Sequence, residues 1–225
     1  MNAPFANPAA DAQTTIFAAS PDAARDAVPI RVWDLPVRVF HWGLVACFAG
    51  AWLTAESERW RDVHVMLGYT LIGLVAFRLL WGFAGTRYAR FRSFLFSPAA
   101  VWRYLRSIRS GTPQHFTGHN PVGSLAVFVL LGLSVLASLS GVFVYQDIGG
   151  EWLEEVHELA AGTMLALAGL HVIGVLASSA LHRENLARSM LSGWKSGDPA
   201  DGIRGMYPVV SVMLLAAMGL FWWAW

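Results

Sequence analysis

Residues 157–171 read HELAAGTMLALAGLH, an apolar run of helix-forming and small residues closed at both ends by histidine. At about 100° per residue, the step from His157 to His171 falls about 40° short of four whole turns, so both imidazoles share one helix face, about 21 Å apart along the axis. The segment lacks the polar stripe that a helix of a soluble bundle presents to water. Its histidines therefore stand at membrane depth, where an ionisable side chain is costly unless it finds an interhelical hydrogen bond or a ligand. The question for the rest of the chain is whether other apolar segments bring histidines to the same two depths.

The chain as a whole has lipid for its solvent. Hydrophobic residues make up 56% and mean hydropathy is +0.47, above the roughly 45–50% apolar content of soluble domains. Windows of about 20 apolar residues predict helices over 38–56, 63–83, 121–144, 155–181 and 207–225. The expected fold is an all-α integral membrane protein, a four-helix transmembrane bundle with a fifth, C-terminal transmembrane helix. Residues 1–30, rich in Ala, Asp and Pro and without an apolar core segment, read as a disordered cytoplasmic tail rather than a signal peptide. Residues 31–195 form the expected bundle, and 196–225 a linker and the last helix. A net charge of +1 points away from nucleic acid as a partner.

Charge placement sets the orientation. The loop between the second and third helices carries Arg87, Arg90, Arg92, Arg103, Arg106 and Arg109 and no Asp or Glu, which by the positive-inside rule makes it cytoplasmic. The opposite connections are mostly acidic, with Glu56, Glu58 and Asp62 beside Arg59 and Arg61, then Asp147, Glu151, Glu154 and Glu155. A multi-pass membrane protein follows, its N-terminus and segment 182–206 inside. Its last helix leaves outward with Trp222, Trp223 and Trp225 at interface depth. Within the inner loop, residues 97–110 space Val101, Leu105 and Ile108 among arginines and Trp102, which fits either an amphipathic helix on anionic lipid or an ordinary solvated loop.

Four of the seven histidines, His41, His64, His157 and His171, lie in or at the edge of predicted spans. With the outer boundary placed near Ser57 and Asp62, His41 is about 24 Å below the surface and His64 only about 3 Å, a difference again of about 21 Å. His64 thus matches His157 in depth on the outer side, and His41 matches His171 on the inner side. Two bis-histidine haems stacked in a four-helix bundle need that arrangement. His182 falls within about 20° of the face of His171 but about 37 Å from His157, outside the roughly 30 Å hydrocarbon core. His171 is therefore the expected inner ligand, with His182 the alternative or a residue at the haem edge. His115 and His119 read as ordinary solvated loop histidines.

Arg78 shares the face of His64 about 21 Å farther in, level with His41. No Asp or Glu lies in the predicted spans at that depth, and the propionates of an inner haem would supply the missing anions through bidentate bonds. Arg38, one turn before His41, is a second candidate for that role, snorkelling to lipid phosphates being the alternative for both. The one cysteine, Cys47, allows neither a CxxCH attachment nor a Cys-ligated iron–sulfur cluster, so haem here is held without thioether links.

The stretches VWDLPVRVFHW (32–42), HVMLGYTLIGLVAFRLLWGFAGTRYARFRSF (64–94), GHNPVG (118–123), HELAAGTMLALAGLH (157–171) and HRENLARSM (182–190) together resemble the bacterial cytochrome b561 family, which includes the cytochrome b subunits of nickel–iron hydrogenases. The resemblance implies a four-helix transmembrane bundle with two non-covalent b haems, ligated at the matching positions His41, His64, His157 and His171. It implies electron transfer between the quinone pool, as quinone or quinol, and a periplasmic cytochrome c or a hydrogenase-like oxidoreductase subunit, in the lipid bilayer of the bacterial inner membrane and with a homodimer as a further expected assembly. The N-terminal extension and the last helix have no match in it. Two other functions compete with an independent electron carrier: the membrane-anchor cytochrome b subunit of a larger oxidoreductase, and a proton or solute carrier with a histidine relay. The second predicts no visible absorption.

Overall fold

The computed structural model describes residues 28–225; of the predicted tail, 1–27 lie outside them. Helix starts follow one local grammar, a polar cap followed by proline. Asp34 is extended and accepts a hydrogen bond from the Val37 amide at 2.8 Å, which begins α1 (Leu35–Thr54) with Pro36 in its first turn. Ser97 and Pro98 begin α3 (Pro98–Arg109), and Asn120 and Pro121 begin α4 (Pro121–Tyr145), where the Asn120 side chain accepts from the Gly123 amide at 2.7 Å. These caps satisfy amides that lack an intrahelical partner. They also explain why α1 starts three residues before its predicted boundary, since hydropathy marks the first apolar residue and not the cap. Between α1 and α3 runs α2 (Arg61–Ala84); after α4 come α5 (Glu151–His182), a short α6 (Leu186–Ser192) and α7 (Pro208–Ala224).

Four helical segments, Leu35–Thr54, Glu58–Ala84, Pro121–Tyr145 and Glu151–His182, are long and apolar enough to cross a membrane. At 17 residues α7 is shorter, reaching about 25 Å at the low end of the spanning range. It packs along α1 and ends beside α2, where the Trp222 indole donates to the Thr70 hydroxyl at 2.8 Å and the Trp225 ring lies 5.7 Å from that of Tyr69.

The bundle packs in the order α1, α2, α4, α5. Between α1 and α2 the buried side chains are Phe40, Cys47, Ala51, Leu67, Leu71 and Leu74, joined by Leu131 of α4. The α4 and α5 backbones approach closely because the buried face of α4 is built from small residues, Ser134, Ala137, Ser138 and Ser140, against Ala160 and Met164. The Ser134 and Ser140 hydroxyls donate to carbonyls one turn back on their own helix, Leu130 and Leu136, so those two are satisfied without a gap, whereas the Ser138 hydroxyl is enclosed without a partner. Neither α1 nor α2 packs closely on α5; α2 meets it through the rings of His64 and His157.

One end of the bundle carries structure that the sequence reading left as tail and loop. Residues Val28–Arg31 form β1, antiparallel to β2 (Trp194–Gly197), with Val28 opposite Gly197 and Arg31 opposite Trp194. The expected tail boundary at residue 30 thus falls within β1, and the expected linker boundary at 195 within β2. Val32 and Trp33 donate to the Gly193 carbonyl. Gly193 ends α6 with φ +86°, and a Cβ there would lie 2.8 Å from the Trp33 carbonyl, so only glycine fits this close, left-handed turn. Ile30, Val32, Trp33 and Tyr88 form a second small core beneath the sheet.

Candidate functional site

His64 is on the first turn of α2 and His157 on the second turn of α5. Their ring centroids are 6.2 Å apart with planes at 80°. Each Nδ1 lies 2.8 Å from a backbone carbonyl on the neighbouring helix, Ala51 of α1 for His64 and Ala137 of α4 for His157. A carbonyl only accepts, so in both rings Nδ1 is the donor and the neutral imidazole keeps its lone pair on Nε2. Metal-bound histidines are oriented in the same way, the far ring nitrogen donating to a carbonyl. Gly141 makes room for this arrangement, since a Cβ there would lie 2.9 Å from Cε1 of His157.

At the sheet end His41 and His171 lie within electrostatic reach of each other, and Nδ1 of His41 is enclosed without a hydrogen-bond partner. His64 and His157 thus meet ring to ring, and His41 and His171 share one neighbourhood with His119. His182 is elsewhere: its ring is 5.4 Å from that of His115, in a group with Glu184 and Lys195. Lys195 is buried, 3.2 Å from the Glu184 carboxylate and 3.2 Å from the Phe116 carbonyl, to which it donates. His115, His182, Glu184 and Lys195 line a small polar cavity with Asn120 and Ser178. Burial alone would raise the Glu184 pKa, but His115 and Lys195 together hold it below the ordinary carboxylate value.

Arg78 is 3% exposed, its guanidinium 4.7 Å from the Phe91 ring centroid and 5.9 Å from that of Phe94. Its Nη1 is enclosed without a partner. Asp34, just outside the predicted first span, is the carboxylate whose field Arg78 feels. Asp34 is itself engaged by the Val37 amide, the Trp81 indole and the Thr86 hydroxyl, and it is not within ion-pair distance of Arg78 among the described residues. Arg38 donates through Nη2 to the Leu191 carbonyl, and its Nε is enclosed without a partner.

His119 corrects the sequence reading. It is no solvated loop residue: its ring lies 4.8 Å from Trp33 and 4.4 Å from Phe94, and Nδ1 is fully enclosed. Its neighbours in sequence offered a signal, because GHNP combines a helix cap with proline and so places His119 at the mouth of α4.

The chain matches the family model for prokaryotic cytochrome b561 over residues 32–193. It belongs to the prokaryotic cytochrome b561 family. This cytochrome is similar to curated proteins named "Probable Ni/Fe-hydrogenase B-type cytochrome subunit". The one from Azotobacter vinelandii is 26% identical over an alignment covering 76% of this chain and 90% of the relative. The one from Rhizobium leguminosarum bv. viciae is 22% identical, covering 73% and 87%. The Escherichia coli K12 protein, named as the hydrogenase 1 subunit, is 25% identical over 52% of this chain and 60% of its own length. No solved structure matches. The protein is thus a multi-pass bacterial membrane b-type cytochrome that transfers electrons, and the facing imidazoles fit the haem that its family carries.

Proposed function

We propose that this cytochrome holds two b haems, one between His64 and His157 and one between His41 and His171. It would pass electrons between the quinone pool and a redox subunit at the acidic-loop side of the inner membrane. The observation that carries the reading is the His64 and His157 pair, with both Nδ1 atoms committed to carbonyls and both Nε2 lone pairs left for a metal. When bound, haem supplies one-electron chemistry at two depths about 21 Å apart. The protein's part is to fix the imidazole tautomers through Ala51 and Ala137, to keep water from the rings, and to offer Arg78, with Arg38 beside it, to the propionates. His182 stands at the edge of the inner site in this reading and does not ligate. Residues 31–195 act as the electron-carrying domain.

The hydrogenase-subunit names of the relatives favour a membrane-anchor role, in which the donor is a nickel–iron enzyme of the periplasm. A cytochrome c donor and a homodimer are the other assemblies proposed. Purification of the full chain and extraction of haem should give two haems per chain. His64→Ala and His41→Ala should each lose one, His171→Ala should lose the same haem as His41→Ala, and His182→Ala should keep both. Full haem content in the His64 and His41 variants would refute the pairing, and a chain without visible absorption would favour the carrier alternative.

A further inference from the structure

Among the hydrogen-bonding groups that sit enclosed without a partner at the sheet end are Nη1 of Arg78 and Nδ1 of His119. Buried polar atoms without partners are rare, because each keeps its full desolvation cost, the more so where the group is charged. The two belong to one neighbourhood. Phe94 lies under both, 5.9 Å from the Arg78 guanidinium and 4.4 Å from the His119 ring, and His119 stands in the electrostatic reach of Arg78, His171 and His41 together. Trp33 holds the other flank of the ring at 4.8 Å, and the loop is fixed by Gly118, where a Cβ would lie 2.6 Å from Tyr88. Burial, and then the cations around it, hold the His119 imidazole neutral, its pKa lowered to about 3. A neutral imidazole has one N–H to give, and a buried guanidinium needs an anion.

We propose that His119 is a further haem-binding residue, donating a hydrogen bond beside Arg78 to a propionate carboxylate of the haem held between His41 and His171. This rests on the two-haem reading above. Sharing the carboxylate's charge with a donor makes its negative field at the iron weaker, which favours the reduced haem. Loss of the donor therefore makes the inner haem harder to reduce and leaves the outer one unchanged.

The test compares His119→Phe with His119→Gln in the full chain, reading haem content and the midpoint potential of each haem, the inner haem being the one that His41→Ala removes. Both variants should keep two haems. His119→Phe, which preserves the ring stack, should lower the reduced fraction of the inner haem several-fold at a fixed ambient potential. His119→Gln, which keeps an N–H donor, should lie near wild type. The reverse order, with Phe silent and Gln perturbed, would mean that His119 only packs, and would overturn the proposal. Reconstitution with haem dimethyl ester is the second arm: with no carboxylate to receive the bond, the difference between wild type and His119→Phe should vanish. Its persistence would also overturn the proposal. If His41→Ala keeps both haems, the two-haem reading itself fails; if it loses one and His119→Phe shifts neither, only the present inference fails.

Discussion

At His157 the room for a ring is set by a missing methyl group. Gly141 on α4 faces that imidazole so closely that a Cβ would approach Cε1 at 2.9 Å. The imidazole cannot back away without giving up its 2.8 Å bond to Ala137. Gly141→Ala should therefore lower occupancy of the outer haem, and extraction from the purified variant should find the inner haem retained. Glu184 gives a second prediction at this scale. Its pKa is held below the ordinary value of 4.5, so the stabilisation it contributes is complete above that value and is lost as pH falls through the lowered one. The thermal stability of Glu184→Gln in detergent should lie below wild type at pH 7, where buried Lys195 has lost its counter-charge. The two curves should converge as pH drops below about 4.5.

Among the elements, α7 is the one whose existence sequence shows plainly and whose attachment it does not show. Hydropathy places it as a fifth span, and its apolar character is indeed the simplest signal in the chain. What hydropathy does not carry is the direct attachment to α2: Trp222 to Thr70 and Trp225 to Tyr69. Because lipid is as apolar as leucine, such polar contacts and close packing hold helices together, each hydrogen bond contributing about 0.6 kcal/mol in a membrane. Trp222→Phe should destabilise the protein by about that amount without changing haem content, as measured by thermal denaturation followed through the haem band. Of the two readings that residues 97–110 allow, the structure takes the helix, α3, between Ser97 and Ser110. Its Trp102 and Leu105 are exposed while Tyr104 is buried against the bundle.

For the molecule as a whole, the arginine-rich loop, the β1–β2 sheet and the His41 and His171 pair gather at one end, and the acidic connections, His64 and His157 at the other. Alkaline phosphatase fused within residues 146–150 should be active, and the same enzyme inserted at residues 110–113 inactive, in the assay for periplasmic exposure; the opposite pattern would invert the proposed membrane orientation. A fusion after Trp225 should be active if α7 crosses.

The sequence by itself determined the helices, their lipid environment and the two histidine depths, because hydropathy and a fixed rise per residue are local properties that need no partner. Its depth arithmetic puts His64 level with His157, and the two rings do meet, 6.2 Å apart, since depth along parallel axes survives translation into three dimensions. Tertiary structure alone decided what surrounds those rings. Ala51, Ala137, Gly141 and Asp34 carry no signal of their role in a string of small or polar residues, and it takes the packing of α1 on α2 and α4 on α5 to aim a carbonyl at each Nδ1. The two short strands are distant in sequence and too brief for a period of two, so their pairing emerges only when α1 and α6 meet. His119 is the clearest case: a histidine between glycine and asparagine reads as solvated until Trp33 and Phe94, from two other segments, close over it.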